Sequence, residues 1–232
     1  PRDAAMVFVD PARRDPQAAK SITGETKRVS NPQQWSPSWA FIQHVASRFP
    51  VMAKVAPGID DETIGTWCAG FISVNGDLVE ALLTSFDTGR IAVLMTNQGT
   101  VRFAGGQETQ VTDVGSYLIV PDPALVRARA LDAIAEKTGG GLINPHISWL
   151  TTNNEKAAIE LAQSSPRLAQ VFHIVGQLPF TPKLLKSELV AHPASAVTIM
   201  TRGVSVNVEE LRKRISPSLT KSAAELVVAL YR

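Results

Sequence analysis

Along this chain, short continuous apolar runs alternate with stretches in which apolar residues recur every three or four positions, and each change of period predicts a change of element. Val7, Phe8 and Val9 form an apolar run that stops at Asp10-Pro11, the pattern of a short strand buried on both faces. Residues 11 to 35 show no period and contain Pro11, Pro16, Gly24 and Pro32 among polar groups. A loop of that length in a compact domain usually carries function or mobility. Ser36-Pro37 then has the form of an N-cap and first helical position, with Trp39, Ile42, Val45 and Phe49 spaced for one buried helical face ending near Phe49-Pro50. Val51 to Ala56 reads as a second buried strand, interrupted by Lys54. The order strand, helix, strand predicts a parallel α/β sheet.

The middle of the chain changes character. Phe71 to Val74, Asn75-Gly76 and Asp77 to Leu83 predict a hairpin, because Asn-Gly accepts the positive φ angles of a type I′ turn. Ile91 to Thr96 reads as a third strand of the same meander, adding an antiparallel edge to the sheet. Pro123 to Lys137 predicts one helix with Leu125, Leu131 and Ile134 on one side, stopped by Gly139-Gly140-Gly141. Residues 142 to 165 give no clear pattern. Beyond them Val171 to Leu178, Ala196 to Thr201 and Glu225 to Tyr231 read as strands. A helix from Thr181-Pro182 carries Leu184, Leu185 and Leu189, and another runs from the capping-box pair Asn207 and Glu210 through Ile215. This β-α-β-α-β segment predicts a small separate domain over 151–232, after a larger one over 1–150.

Composition narrows the class. With 44% hydrophobic and 19% charged residues in 232, the chain is long enough to bury a substantial core. One cysteine, Cys68, rules out an internal disulfide framework and fits a cytoplasmic protein better than a secreted one. No stretch approaches the roughly 20 apolar residues of a membrane span. The net charge of +2 hides an asymmetry: residues 161–232 hold nine Lys and Arg against four Asp and Glu, whereas residues 1–160 hold fourteen against seventeen. A basic C-terminal segment suits phosphate neutralisation in a nucleic-acid partner, and equally a solvated surface kept for solubility.

In open α/β sheets, ligands sit beyond the C-terminal ends of parallel strands, and Asp10 and the Lys54 to Asp60 stretch fall there. Asp10 reads either as a crevice-facing group or as an Asx-turn or N-cap residue at a strand exit. Lys54, inside an apolar run, either contacts substrate or pairs with a carboxylate such as Asp10. Of the two tryptophans flanking the first helix, Trp39 suits the core and Trp35 a stacking surface. His44, His146, His173 and His192 are scattered, so no metal site is expected. No P-loop or G-x-S-x-G elbow occurs, which argues against a hydrolase.

Five blocks in order, DPARR (10–14), VMAKVAPGID (51–60), FISVNGDLVEALL (71–83), YLIVPDPALVRA (117–128) and IMTRGVSVNVEELRKRI (199–215), resemble one bacterial family. It comprises class I S-adenosylmethionine-dependent methyltransferases with a C-terminal THUMP-like domain, described as rRNA or tRNA methyltransferases. The resemblance implies the C-terminal half of a Rossmann-like methyltransferase sheet with antiparallel edge strands, followed by a small β-α-β-α-β THUMP-like domain. It also implies that the strands and glycine-rich turn holding S-adenosylmethionine lie upstream, so this portion is not expected to bind the cofactor tightly or to be active alone.

By analogy with amine-directed relatives, Asp10 and the Pro11 carbonyl would orient the methyl acceptor. Where those relatives carry a second proline and an aromatic, this chain has Ala12 and Arg13, so Arg13 and Arg14 would instead clamp a phosphate or stack on a base, or else pair with Asp15, Asp60 or Asp61. THUMP domains are associated with RNA, which makes Lys183, Lys186, Arg202, Arg212 and Lys213 candidate RNA contacts, with tRNA or rRNA as partner. The competing expectations are a non-enzymatic RNA-binding or scaffold module, and a methyltransferase acting on a protein or small molecule.

Overall fold

A computed structural model describes residues 5–13, 31–164, 167–215, 219–221 and 223–232. The chain divides into two compact units that interleave in sequence: one comprises Pro1–Glu108, Pro121–Ile134 and Gln163–Leu168, the other Thr109–Val120, Ala135–Ala162 and Ala169–Arg232.

The first unit is built on a six-stranded sheet of β1 (Val7–Val9), β2 (Val51–Val55), β3 (Cys68–Val74), β4 (Asp77–Thr84), β5 (Arg90–Thr96) and β6 (Gly99–Ala104), in the order β1-β2-β4-β3-β5-β6. β1 and β2 run parallel, with Val7, Phe8 and Val9 opposite Val51, Met52 and Ala53. The predicted hairpin forms β3 and β4, and its turn places Asn75 and Gly76 at φ 53° and 92°. β5 does not continue a meander: it crosses over to pair parallel with β3, and only β6 beyond it is antiparallel.

Among the described residues one face of the sheet is covered more fully than the other, and the burial alternation records it. Val51, Ala53, Val55, Ala81, Leu83, Ala69, Phe71, Ala92 and Leu94 are buried, whereas their neighbours Met52, Lys54, Leu82, Ile72, Ile91 and Val93 are half-buried. The expectation that β1 is buried on both faces is therefore corrected. Among the described residues β1 is the edge strand, and Phe8 is 57% exposed.

Helix α1 (Trp39–Ala46) packs against β2 and buries Trp39 and Ile42. Its N-cap is Ser38, which accepts from Phe41 N, rather than Ser36. A one-turn α2 (Asp61–Ile64) follows β2, capped by Asp60. α3 (Pro123–Ala128) lies across β3 and β5, with Pro123 in its first turn and the Asp122 carboxylate accepting from Ala124 N. The single helix predicted over 123–137 is two, because Arg129 takes a left-handed conformation at φ 57° and ends α3.

In the second unit β7 (Tyr117–Pro121), β8 (Gly141–Asn144), β9 (Ile147–Thr152) and β10 (Ala169–His173) form a sheet in the order β10-β7-β9-β8. α4 (Asp132–Thr138) leads into β8, and α5 (Glu155–Ala162) packs on β10. β9 runs straight through residue 150, where the sequence suggested a boundary, and the stretch 142–165 resolves into β8, β9 and α5.

α6 (Pro182–Ala191), β11 (Val197–Arg202), α7 (Val208–Ile215) and β12 (Leu226–Tyr231) complete the unit, close to their predicted places. β11 and β12 make a two-stranded parallel ribbon. One face of the ribbon meets α6 and α7 through Val197, Ile199, Val228 and Leu230 against Leu185, Leu189, Leu211 and Ile215. Its other face, with Met200, Ala229 and Tyr231, packs on Leu118, Ile147 and Trp149.

Candidate functional site

The parallel pair β1 and β2 brings Asp10 and Lys54 side by side where their C-terminal ends open. Lys54 Nζ lies 2.9 Å from Asp10 Oδ2, with the side chains 35% and 48% exposed. That hydrogen bond and the charge of Asp10 hold the Lys54 ammonium above its ordinary pKa. Among the described residues Asp10 makes neither of the local bonds expected of a cap or Asx turn. The contrast with Asp60 is direct: Asp60 Oδ1 accepts Thr63 N at 2.6 Å, and that bond lowers its pKa. Behind Asp10 the chain is pinned, since Pro11 is buried and Ala12 and Ser36 exchange backbone hydrogen bonds of 2.8 and 3.1 Å.

The same end of the sheet carries the loop Pro57 to Asp60, and an arginine that sequence reasoning missed holds it. Arg127, from α3, donates through Nε to the Pro57 carbonyl at 3.0 Å and through Nη2 to that of Ile59, while its guanidinium stacks 4.7 Å from the Phe71 ring centroid. Asp61, next along, is gripped by Arg129 at 2.5 Å and Arg90 at 3.4 Å. Burial pushes the Asp61 carboxyl up, but the two guanidiniums outweigh it and leave its pKa below the usual range. Beneath them Asp122 is buried and accepts the Ser73 hydroxyl at 3.0 Å, its burial raising its pKa. Nothing local in the sequence announces this cluster, since its arginines lie 29 to 70 residues from the groups they hold.

Of the other sequence candidates in this unit, Arg13 is half-buried, and among the described residues no ion pair joins it to Asp60 or Asp61. Arg14 and Asp15 lie outside the described residues, as does most of the 11–35 loop. Trp35 is corrected from stacking surface to core: it is 6% exposed and meets Trp39 edge-on at 6.4 Å, and Trp39 in turn lies 5.1 Å from Trp67.

In the second unit Lys183 and Lys186 are exposed on α6, Arg202 at the end of β11, and Arg212 and Lys213 on the last turn of α7. Thr181 caps α6 by accepting Leu184 N, and Asn207 caps α7 by accepting Glu210 N. Arg212 also donates to the Val197 carbonyl at 3.3 Å. The cations of α7 follow two glutamates in its first turn, the arrangement that complements a helix dipole, so part of this charge supports the helix itself.

A Cβ on Gly105 would stand 1.6 Å from the Ala128 carbonyl oxygen, and one on Gly140 would stand 2.1 Å from that of Thr151. These glycines allow protein backbone to approach protein backbone, and neither opens a helix toward a ligand. Two cavities, of about 740 and 410 Å³, lie in the second unit. The smaller is lined by Thr and Asn side chains already engaged: Thr151 Oγ1 donates to the Tyr117 carbonyl and Asn153 Oδ1 accepts Ser116 N. Among the described residues no group of three or more His, Cys, Asp or Glu is placed to hold a metal ion. No described helix is long and apolar enough to cross a membrane.

A family model described as THUMP domain-like matches residues 169–232, the stretch that begins with β10. Two proteins of Mycobacterium tuberculosis, from strains CDC 1551 and H37Rv, are each described as an uncharacterized S-adenosylmethionine-dependent methyltransferase. Each is 26% identical over 224 residues, spanning 91% of this chain and 56% of the relative. The fold resembles a crystal structure of a candidate methyltransferase from Porphyromonas gingivalis W83, with a TM-score of 0.63 and 18% identity over 97% of this chain and 56% of that one. The chain thus spans little more than half the length of the relatives it matches, and has a mixed α/β fold like that of a candidate methyltransferase, ending in a THUMP-like segment.

Proposed function

We propose that this chain is the acceptor-side portion of an S-adenosylmethionine-dependent methyltransferase that acts on RNA, tRNA or rRNA, in the bacterial cytoplasm. The observation that carries the reading is the half-exposed Asp10 carboxylate at the open end of a parallel strand pair, in a fold shared with a candidate methyltransferase. The pinned Pro11 beside it and the arginine-held loop across from it give that end of the sheet a fixed shape.

In this reading the cofactor supplies an electrophilic methyl group, and residues outside those described here hold it. Asp10 and the Pro11 carbonyl accept hydrogen bonds from the acceptor and aim it, so the protein's contribution is chiefly orientation. Arg13 and Arg14 serve to clamp the acceptor's phosphates or to stack on a base, and the exposed cations Lys183, Lys186, Arg202, Arg212 and Lys213 supply a sequence-independent grip on RNA. The chain by itself is then inactive. The alternatives are an RNA-binding or scaffold module without catalysis, and a protein or small molecule as acceptor.

The test is transfer of labelled methyl from S-adenosylmethionine to RNA from a strain lacking the gene, comparing a protein of the relatives' full length with this chain. The expected result is RNase-sensitive label with the longer protein only. Label that survives RNase moves the acceptor to protein or small molecules. No label, with the cofactor shown to bind, likewise moves the search to protein and small-molecule acceptors.

A further inference from the structure

We propose that Lys54 is a positioning residue for Asp10 rather than a contact for the substrate. The proposal rests on the reading of Asp10 as the group that orients the methyl acceptor. Three observations carry it.

The first is register: Val9 lies opposite Ala53, so Lys54 stands beside Asp10 on the neighbouring strand and its ammonium closes on one carboxylate oxygen, Oδ2, at 2.9 Å. The second is the contrast with three other carboxylates of this unit. Asp60 and Asp122 are each held by a backbone N–H of the helix they cap, and Asp61 by two arginines, whereas Lys54 is the one described hydrogen-bond partner of the Asp10 side chain. Among the described residues its orientation is therefore set by a group from another strand. The third is economy of energy. A pair this exposed adds little to folding stability, so an ammonium placed in an otherwise apolar strand has its main effect on where the carboxylate points.

With Oδ2 engaged, Oδ1 is the oxygen offered to a donor on the acceptor molecule. Two further charges act on Lys54: Glu80 from β4 attracts it, and Arg13, just past β1, repels it.

The pairing itself is tested in this chain by NMR titration of the Lys54 ammonium. Asp10→Asn should return it toward the ordinary lysine value, and an unchanged titration overturns the proposal whether or not the protein is an enzyme. The functional consequence is tested in the active full-length protein with Lys54→Met, Lys54→Arg, Asp10→Asn and the Asp10→Asn/Lys54→Met double variant.

Lys54→Met should lower kcat about 10- to 100-fold with cofactor Kd changed less than about twofold, since misorientation acts on turnover. Lys54→Arg should recover most of the loss. The double variant should be no slower than Asp10→Asn alone, because a residue that acts only through Asp10 has nothing left to position. Additive losses, or a raised acceptor KM with kcat unchanged, would overturn the proposal in favour of direct substrate contact. If the wild-type protein transfers methyl to no acceptor, the functional reading fails separately and the titration still decides the pairing.

Discussion

Arg127→Met is the most informative perturbation of the loop that follows β2. The guanidinium makes two hydrogen bonds to main-chain carbonyls, on Pro57 and Ile59, and covers the Phe71 ring. A hydrogen bond to a charged group is worth about 1.5–3 kcal/mol, and a partly desolvated cation–π contact about 0.5–1 kcal/mol more. Methionine retains the aliphatic contact with Phe71, and the freed carbonyls regain some water, so the net loss should be about 2–3 kcal/mol. For a unit of this size that corresponds to a fall in Tm of about 6–12 °C. Urea unfolding followed by tryptophan fluorescence reads it, because Trp35, Trp39 and Trp67 all lie in this unit. Lysine at 127 should recover less than half the loss, since an ammonium cannot present the fork that spans both carbonyls. A cost for Arg127→Met below about 0.5 kcal/mol, or full rescue by lysine, would refute the idea that this fork holds the loop.

Further outcomes follow from the charges. Asp61 has a depressed pKa, so its pairing with Arg129 and Arg90 contributes stability above the ordinary aspartate range and loses it as pH falls through the lowered value; the stability gap between wild type and Asp61→Asn should be present at about pH 6 and closed near pH 2 in urea titrations. Asp122 behaves oppositely, because burial raises its pKa: its contribution is largest at low pH and declines as pH rises through the raised value. Asp122→Asn, which can still accept from Ala124 N, should therefore gain on wild type between about pH 4 and pH 7, and a constant difference would contradict the shift. For the proposed enzyme, Asp10→Ala should cut methyl transfer far more than cofactor binding, as measured by kinetics and calorimetry on the full-length protein; equal losses would remove Asp10 from the acceptor site. If Lys183, Lys186 and Lys213 face phosphates, reversing all three should flatten the salt dependence of RNA affinity by about two in the log–log slope, whereas an unchanged slope would return them to solvated surface.

Local patterns reached the elements whose causes are local. Asn75-Gly76 announced the hairpin, Thr181-Pro182 and the pair Asn207 and Glu210 announced α6 and α7, and Trp39 and Ile42 were visible as a buried face. Pairing over long distance was not visible. Nothing near Ile91 says that β5 joins β3 in parallel, and an unbroken apolar run could not report that, among the described residues, the faces of β1 and β2 are unequally buried. The break in the 123–137 helix depends on Arg129 adopting a left-handed conformation, which glycine would have signalled and arginine does not. The Asp10 and Lys54 pair was legible because both stand at strand ends, whereas Trp35 was misread because no periodicity shows that a loop residue is packed beneath another tryptophan.

The ribbon of β11 and β12 limits how this protein can be taken apart. Residues 169–232 match a family by themselves, yet Met200, Ala229 and Tyr231 bury their face on Leu118, Ile147 and Trp149, which belong to strands made earlier in the chain. A clone beginning at Ala169 would expose that face and strip β10 of its neighbour β7. Recombination that exchanged this tail between genes would have to carry the platform of β7, β8 and β9 with it, so the heritable module is a discontinuous one, larger than the segment that sequence similarity outlines.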